Sequence, residues 1–248
     1  MKEIQDLTII IITHRNDAEF EQALRSAQCA SEVLVVNTDP KIHLSAFEKK
    51  YHFNEVKWED ELDFSAIRNF AKQLVKTSWS FWLDSDEIIS DDLQREIGAV
   101  ISMHRYDAFK VIRRDFFHGK MLKHGEVGNM RLLRLIKTDK VDWRGKVHEI
   151  AIEPGSIGVL EQPLFHYPHS DLSTFLKKIN VYTSLAVEEE SKKVIVLKTV
   201  WYPAGKFIQN YILKLGCLDG FEGICYAFMM SLHSLTRRVK EYEQSQNT

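Results

Sequence analysis

The densest group of carboxylates in the sequence lies in the segment FWLDSDE at 81–87, where an apolar run ends in three acids. In extended backbone, residues two apart point to the same side, so we expect Asp84 and Asp86 to face one cation together. Carboxylate oxygens are hard ligands, and Mg²⁺ or Mn²⁺ typically binds one or two of them with phosphate oxygens and water. The spacing therefore predicts a divalent-metal site. The alternative is a strand-to-helix turn whose acids cap the helix that begins near Asp91.

Polar residues also follow two other predicted strands. Short apolar runs alternate with helical patterns over the first hundred residues, which is typical of an α/β fold with a mostly parallel sheet flanked by helices. In such open sheets, ligands bind beyond the carboxyl ends of the strands. The strands predicted at 7–12 and 33–36 are followed there by further candidate ligand-binding residues, which are Thr13, Arg15, Asn16, Asn37 and Asp39.

The rest of the pattern gives the order of the elements. Further strands are predicted at 56–58, 79–83, 108–112, 131–136 and 147–152. Helical stripes start at Asp17 and before Ile67, and Asp91 is the expected N-cap of a third helix. A later helix begins near Asp171, and its predicted inner face is Phe175, Ile179, Tyr182 and Ala186.

Composition limits the classes of protein that the chain can belong to. With 248 residues, 44% hydrophobic and 27% charged, it can form one sizeable core, and its net charge of −2 argues against a surface built for nucleic acid. The three cysteines have no metal-ligand spacing, so we expect ordinary buried thiols in a reducing compartment. The first apolar run is too short for a signal peptide, and no run approaches the roughly 18 residues of a membrane span. These features predict a cytoplasmic protein.

Five segments, taken in order, resemble a known family: FSAIRNFA at 64–71, WLDSDE at 82–87, RLLR at 131–134, VHE at 147–149 and FHYPHSDLSTFLKKINVYT at 165–183. With them the chain resembles family 2 glycosyltransferases nearly end to end, in particular the bacterial lipopolysaccharide core β-1,4-glucosyltransferases. The resemblance implies a GT-A catalytic domain with a Rossmann-like sheet, assigned to 1–190, and a C-terminal helical extension at 191–248. It also implies metal-dependent transfer of a sugar, by resemblance glucose, from a nucleotide diphosphate to an acceptor hydroxyl with inversion. A UDP-sugar is the favoured donor, and an oligosaccharide or glycolipid is the expected acceptor.

The resemblance also implies roles for individual residues. Asp86 binds the Mn²⁺ or Mg²⁺ that bridges the donor diphosphate, and His166 completes the metal site. Asp84 contacts the ribose or the sugar, Arg68 lies near the donor phosphates, and Glu149 is the general base. A positioned carboxylate that takes the proton of a hydroxyl can contribute on the order of 10² to 10⁴ in rate. Each has a structural alternative: Arg68 as a helix-surface charge, Glu149 as a solvated edge-strand residue and His166 as a packed histidine.

The donor and the enzyme class retain alternatives. Arg131 is grouped with the donor-binding residues, with an ordinary strand residue as the alternative. After the second strand, relatives usually read Asp-Ser-Gly-Ser, whereas this chain reads NTDP at 37–40, so the base of the donor stays open. A nucleotidyltransferase is the main rival, but such enzymes usually carry a glycine-rich loop that the segment 13–17 lacks. A non-catalytic nucleotide-sugar binding protein is the second rival.

The C-terminal segment has its own charge pattern. Residues 192–240 include eight basic and two acidic residues, with aromatic residues interleaved. Helices of this composition are expected to rest on an anionic membrane surface, here the inner face of the cell membrane. The alternative is a helical hairpin that closes the core and has a solvated face. A lipid-linked acceptor would make the attachment useful, because enzyme and substrate would share one plane.

Overall fold

The computed structural model describes residues 3–60, 63–145, 150–152, 155–168, 172–189 and 196–246. The strands are, in chain order, β1 (Ile4–Thr13), β2 (Ala30–Asn37), β3 (Asn54–Lys57), β4 (Trp79–Asp84), β5 (Glu87–Ile89), β6 (Ala108–Phe117), β7 (Lys120–Met121), β8 (Arg131–Lys137), β9 (Asp142–Arg144), β10 (Ile150–Ile152) and β11 (Ile157–His166). The helices are α1 (Ala18–Ala27), α2 (Ser45–Glu48), α3 (Phe64–Leu74), α4 (Asp91–Met103), α5 (Leu172–Glu189), α6 (Val196–Ile208) and α7 (Gly220–Gln246).

The main sheet brings the polar strand ends together. Its strand order is β3-β2-β1-β4-β8-β6-β11-β5, with β7 paired to β6. Strands β3, β2, β1 and β4 are parallel, whereas β8 runs antiparallel to β4. In this register Thr13 lies opposite Asn37, and Ile12 lies opposite Asp84. The predicted α/β fold with flanking helices and a C-terminal helical segment is therefore confirmed.

Two apolar clusters cover the two faces of the sheet. Because side chains alternate along a strand, Ile9 and Ile11 of β1 join one cluster and Ile10 joins the other. The first cluster contains the inner faces of α1 and α4, as predicted, and the second contains Ile67 and Ala71 of α3. Helix α1 begins after the loop that follows β1, and it also packs against β5, which follows the turn at the end of β4. These two connections carry the candidate site.

One predicted helix cap is wrong, and one strand was not predicted. The N-cap of α4 is Ser90, whose Oγ accepts a hydrogen bond from the Leu93 N–H (3.2 Å), and Asp91 lies in the first turn. An acid in the first turn still stabilises the helix through its dipole. Strand β11 was not predicted, because Gly158 and Pro163 interrupt its pattern. Gly158 is needed there, since a Cβ would lie 2.7 Å from the Phe109 ring.

The chain divides into two compact units. The first comprises residues 1–113 and 131–166, and the second comprises 114–130 and 167–248. Helix α5, which the sequence assigns to the catalytic domain, packs against α7 within the second unit. The compact units thus have different bounds from the predicted functional division at residue 190, which stays a prediction.

Within the second unit, α5 and α6 both pack against α7. Among the α5 side chains that the structure describes, the buried ones are Ile179, Thr183 and Val187, which follow one another at intervals of four residues, and the side chain of Ala186 is outside this description. Tyr182 is 39% exposed, so its predicted place on the inner face is wrong. The predicted start at Asp171 lies outside the described residues.

The cysteines only partly match the expectation. All three are free thiols, but Cys29 alone is buried, whereas Cys225 is partly exposed and Cys217 is exposed. Cys217 lies in the turn before α7, where the neighbouring side chains also face solvent. The surroundings of Cys29 are apolar, and burial raises the pKa of its thiol to about 12.

A carboxylate at the start of β6 joins three strands and makes stability depend on pH. Asp107 accepts hydrogen bonds from Lys137 Nζ (2.8 Å) and from the backbone N–H (3.1 Å) and Oγ (2.8 Å) of Ser156. The Lys137 contact, followed by the Ser156 contacts, lowers the pKa of Asp107 below its ordinary value. A lowered pKa adds stability above the unfolded-state pKa of about 4, and this stability is lost as the pH falls.

We therefore expect Asp107→Asn to lower the melting temperature by a few degrees at neutral pH, with a difference from wild type that shrinks below about pH 4. Thermal unfolding at several pH values measures this. An equal difference at neutral and acidic pH would contradict the assignment of the stabilisation to the charged carboxylate.

Candidate active site

The turn between β4 and β5 separates the two aspartates of the acidic motif. Asp84 is the last residue of β4, whereas Asp86 lies in the two-residue turn that leads into β5. Asp84 contacts Arg134 and Arg68, and Asp86 contacts Arg15 and His166. The expectation that both carboxylates face one cation is therefore not supported, because the turn breaks the alternation of extended backbone.

Arg15 is held over Asp86 by the loop after β1. The Thr13 hydroxyl accepts a hydrogen bond from the Arg15 N–H (3.1 Å) and donates one to the Arg15 carbonyl (2.9 Å). The Arg15 guanidinium contacts Asp17 at 2.6 Å and Asp86 at 3.8 Å, and its side chain is only 9% exposed. Asp17 in turn caps α1 by accepting a hydrogen bond from the Phe20 N–H. The N-cap of α1, the loop after β1 and the Arg15 guanidinium are therefore linked by direct contacts.

His166 reaches the acidic turn through strand pairing. It is the last residue of β11, and it lies opposite Glu87 of β5 in the antiparallel register. Its Nε2 atom is 3.5 Å from Asp86 Oδ1, and both side chains are mostly buried. The structure thus brings together the two residues that the sequence assigned to a metal.

The Asp86–His166 pair is chemically suited to Mn²⁺, since a carboxylate and an imidazole can both ligate this ion, whereas Mg²⁺ prefers oxygen ligands. Among the residues that the structure describes, no group of three or more His, Cys, Asp or Glu side chains could hold a metal. Two protein ligands are nevertheless enough for a cation that takes its other ligands from substrate phosphates and water. The roles of both residues remain predictions.

Arg68 is a buried residue of the site rather than a helix-surface charge. Its guanidinium lies 5.1 Å from the Trp82 ring and 4.7 Å from the Trp143 ring, in cation–π geometry. One of its nitrogens is 3.9 Å from Asp84 Oδ1. Trp143 is fixed by Asn69, which exchanges two hydrogen bonds with its backbone (2.9 and 3.0 Å). The Trp143 contribution was not predicted, because β9 is distant from α3 in the sequence.

Arg134 and Glu87 form the buried base of the site, and neither was a predicted site residue. Arg134 Nη2 donates to Asp84 Oδ2 (2.5 Å) and to Glu87 Oε1 (2.7 Å), while Arg113 lies 3.7 Å from Glu87. Burial raises the pKa of Glu87, and the charges of Arg134 and Arg113 offset this only in part. Burial acts in the same direction on Asp84, but Arg134 and Arg68 hold the pKa of that carboxyl well below its ordinary value.

Arg131 occupies a different place from Arg134 on the same strand. It is exposed at the first residue of β8, whereas Arg134 is 5% exposed. Three residues of strand separate the two by about 10 Å. Of the two arginines in RLLR, Arg134 is therefore the one that contacts Asp84.

The other predicted residues divide into supporting, exposed and undescribed positions. Asn37 is fully buried, and its amide donates to Glu55 Oε1 (2.9 Å) while its Oδ1 accepts from the Asp39 N–H (3.1 Å). These bonds organise the loop after β2, so Asn37 supports Asp39 rather than facing a ligand. Asn16 is exposed. Glu149, the predicted base, lies outside the described residues.

The fold and the acidic, arginine-lined turn after β4 can be compared with those of known proteins. No protein-family model matches the chain. Two curated relatives, both named uncharacterized glycosyltransferases, match it nearly end to end. The protein of Rickettsia typhi is 20% identical and covers 98% of this chain and 88% of its own length. The protein of Rickettsia conorii is 23% identical, over 98% of this chain and 93% of its own length.

Solved structures agree on the fold. Staphylococcus aureus TarS 1-349 in complex with UDP-GlcNAc superposes with a TM-score of 0.53 at 14% identity, over 99% of this chain and 92% of that one. The mannosyltransferase PcManGT from Pyrobaculum calidifontis, in complex with GDP-Man and Mn²⁺, gives 0.55 at 12% identity, over 96% and 87%. The resemblance to GT-A glycosyltransferases is thus confirmed. The narrower resemblance to lipopolysaccharide core enzymes stays a prediction.

Proposed function

We propose that the protein is an inverting glycosyltransferase that uses Mn²⁺ or Mg²⁺ to transfer a sugar from a nucleotide diphosphate to a hydroxyl. The observation that carries this proposal is the arrangement of Asp86, His166 and Arg15 beside Asp84 and Arg68, at the carboxyl ends of β1 and β4. The bound UDP-GlcNAc and GDP-Man of the two similar structures support a nucleotide-sugar donor.

The chain's own residues divide the chemistry between two clusters. Asp86 and His166 would hold the cation, which supplies positive charge to the departing diphosphate when it is bound. Arg68, which lies close to two tryptophan rings, can place a fixed positive charge near the donor phosphates, while Asp84 contacts the ribose or the sugar. Such pre-positioned charges stabilise a transition state without reorganisation at the moment of reaction.

Transfer to the acceptor hydroxyl requires a general base. The acceptor oxygen attacks the anomeric carbon as the bond to the diphosphate breaks, and the hydroxyl proton passes to a carboxylate, for which the sequence offers Glu149. A single direct displacement inverts the anomeric configuration. UDP-glucose is the first donor to test, because the family that the chain resembles implies it. The loop at 37–40 is atypical of that family, so ADP- and GDP-linked sugars must be tested beside it.

A thermal-shift screen tests the proposal, because a ligand that binds only the folded state raises the melting temperature. UDP, GDP and ADP and their sugars are compared with and without Mn²⁺, and each donor that stabilises the protein is then tested for hydrolysis without acceptor. We expect one nucleotide class to stabilise the protein in the presence of Mn²⁺ and its sugar to be hydrolysed slowly. Stabilisation without hydrolysis would favour a non-catalytic binder, and pyrophosphate release from a triphosphate would favour a nucleotidyltransferase.

We further propose that the second unit attaches to the cytoplasmic face of an anionic membrane and that the acceptor is lipid-linked. The segment between α6 and α7, together with the first turn of α7, exposes a group of large apolar side chains, each at least half exposed: Ile212, Leu213, Leu215, Leu218 and Phe221. Lys214 is exposed among them. A cluster of exposed apolar side chains with a lysine complements an anionic bilayer surface.

The helices themselves do not make a single span. In the described part of the chain, no one helix is long and apolar enough to cross a membrane. The segments Lys198–Leu213 and Gly216–Gln246 pass the length and hydropathy criteria only as a pair, bent by 69°.

We expect the double variant Leu213→Glu and Phe221→Glu to reduce binding to vesicles of anionic lipid by at least about tenfold, since burying each side chain contributes about 1.5–3 kcal/mol. Both side chains are more than 70% exposed, so the substitutions should leave the fold intact. Flotation with vesicles of anionic and of neutral lipid measures the effect. Met103→Glu is the control, because Met103 is equally exposed (69%) but lies on α4. Equal flotation of the double variant and the wild type, or no flotation of either, would end the membrane proposal.

A further inference from the structure

A cavity of about 350 Å³ lies in the first unit, between the C-terminal end of α1, strand β5 and the beginning of α4. Four of the side chains that line it are buried, namely Ser26, Cys29, Ile89 and Gln94. Its volume is within the range of about 300–1,000 Å³ that is typical of small-molecule sites. The proposed transfer reaction gives no role to any residue that lines this cavity.

Gln94 brings a buried hydrogen-bond acceptor without a partner to the cavity. Its side chain is 7% exposed, and its Nε2 donates to the carbonyl oxygens of Ser26 and Ile89, at 3.3 Å each. These carbonyls fix the orientation of the amide, because Oε1 in the same place would face two other acceptors. No donor of the residues that the structure describes lies within hydrogen-bond distance of Oε1. Since buried polar atoms are normally paired, Oε1 favours a ligand that donates a hydrogen bond.

The wall around Gln94 is held in place by its own hydrogen bonds. The Ser26 hydroxyl donates to the Ala23 carbonyl (2.8 Å) and accepts from the Ile89 N–H (3.2 Å). Helix α1 and strand β5 are therefore joined at the cavity, and α4 is joined to both through Gln94. The position of Oε1 is thus set before any ligand binds.

We propose that this cavity binds a neutral saccharide unit. Exposed side chains of opposite charge, Arg25 and Asp91, also line it. A sugar hydroxyl both donates and accepts hydrogen bonds, so one ring can donate to Gln94 Oε1 and Asp91 and accept from Arg25. An ammonium ligand would instead meet the like charge of Arg25, and a carboxylate or phosphate would meet that of Asp91.

The cavity is separate from the residues proposed to bind the donor. It lies at the C-terminal end of α1, whereas Arg15 precedes the N-terminus of that helix. The ten residues of α1 correspond to about 15 Å of helix. The inference therefore goes beyond the proposed function, because a saccharide in this cavity is not the sugar that is transferred.

Saturation-transfer NMR on the full chain tests the inference, with glucose, galactose and N-acetylglucosamine as neutral probes. Glucuronate and protonated glucosamine are the charged comparisons. We expect at least one neutral sugar to bind, and to bind more tightly than both charged sugars. Gln94→Met should raise its dissociation constant about three- to tenfold, the effect of losing one hydrogen bond. Arg25→Ala should raise it about threefold, and because Arg25 is exposed this second variant should keep the fold of the wild type.

Arg95→Ala is the matched control. Arg95 is an exposed arginine that follows Gln94 on α4, but it contacts Asp92 and does not line the cavity. This variant should bind the sugar as the wild type does. The melting temperature of each variant, measured without ligand, shows whether the substitution affects folding.

Three results would overturn the inference. The wild type binds none of the neutral sugars, which would leave Gln94 Oε1 with water as its partner. The affinity is the same in Gln94→Met, Arg25→Ala and the wild type, which would place the sugar elsewhere on the protein. A charged sugar binds more tightly than every neutral one. Nucleotide binding with Mn²⁺, measured on the same proteins, should be equal in all of them, and its absence would reject the proposed function without affecting this inference.

Discussion

Asp86→Asn is expected to reduce donor turnover by at least about 100-fold, because it removes the charged ligand from the proposed metal site. The asparagine has nearly the same shape, so the turn between β4 and β5 should keep its structure. His166, 3.5 Å from Asp86, would be left without its carboxylate partner at that position. Hydrolysis of the sugar nucleotide identified in the screen, measured over a range of Mn²⁺ concentrations, quantifies the loss.

Asp139→Asn is the control for that variant. Asp139 is exposed and follows β8, so it lies at the edge of the sheet opposite to the site. Its turnover should equal that of the wild type. Turnover of Asp86→Asn within a fewfold of the wild type would contradict the role of Asp86.

Glu149→Gln tests the role of the general base independently of metal binding. The variant should lose most transfer to an acceptor, by on the order of 10² to 10⁴, since the hydroxyl proton then has no carboxylate to receive it. Its Mn²⁺-dependent affinity for the nucleotide should remain that of the wild type. Near-normal transfer would reassign the base to another carboxylate.

Arg134→Met should destabilise the protein by about 3–5 kcal/mol, the cost typical of removing one partner from a buried ion pair. Arg134 contacts both Asp84 and Glu87, and Glu87 has no exposed surface. The variant would leave Glu87 with Arg113, at 3.7 Å, as its remaining cationic partner. Urea unfolding followed by tryptophan fluorescence measures the loss.

Two further variants serve as comparisons for Arg134→Met. Arg131→Met changes an exposed arginine of the same strand, and its effect should stay within about 0.5 kcal/mol. Adding Glu87→Gln to Arg134→Met should restore part of the stability, because a neutral amide replaces the buried charge. Equal stability of the Arg131 and Arg134 variants would show that the buried cluster does not hold the site together.

Local sequence pattern was sufficient for strands β1 to β4 and for helices α1, α3 and α4. Each of β1, β2 and β4 contains a short run of mainly apolar residues, and α1 buries the stripe that its periodicity predicts. Because parallel strands present their carboxyl ends at one edge, the polar residues after β1 and β4 were expected to meet, and Arg15 contacts Asp86 there. The metal pair of Asp86 and His166 came from resemblance rather than from periodicity.

Other features depend on contacts that no local pattern encodes. Arg134 reaches Asp84 only because β8 pairs antiparallel with β4, and the sequence gives no sign of that partner. His166 reaches Asp86 because the three-residue strand β5 pairs with β11, and neither strand was predicted. In the sequence, Glu87 is the third acid of the segment at 81–87 and has no feature that sets it apart. In the structure it is the buried partner of two arginines.

The measurement that tests the central claim most directly is calorimetric titration of UDP, and of GDP and ADP in parallel, into the wild-type protein with Mn²⁺ and with EDTA. We predict that at least one of these nucleotides binds with Mn²⁺ and that its affinity falls by at least about tenfold in EDTA, a difference of 1.4 kcal/mol. Equal affinity in the two conditions, or no binding of any of the three nucleotides, would contradict a metal-bridged diphosphate site at Asp86 and His166.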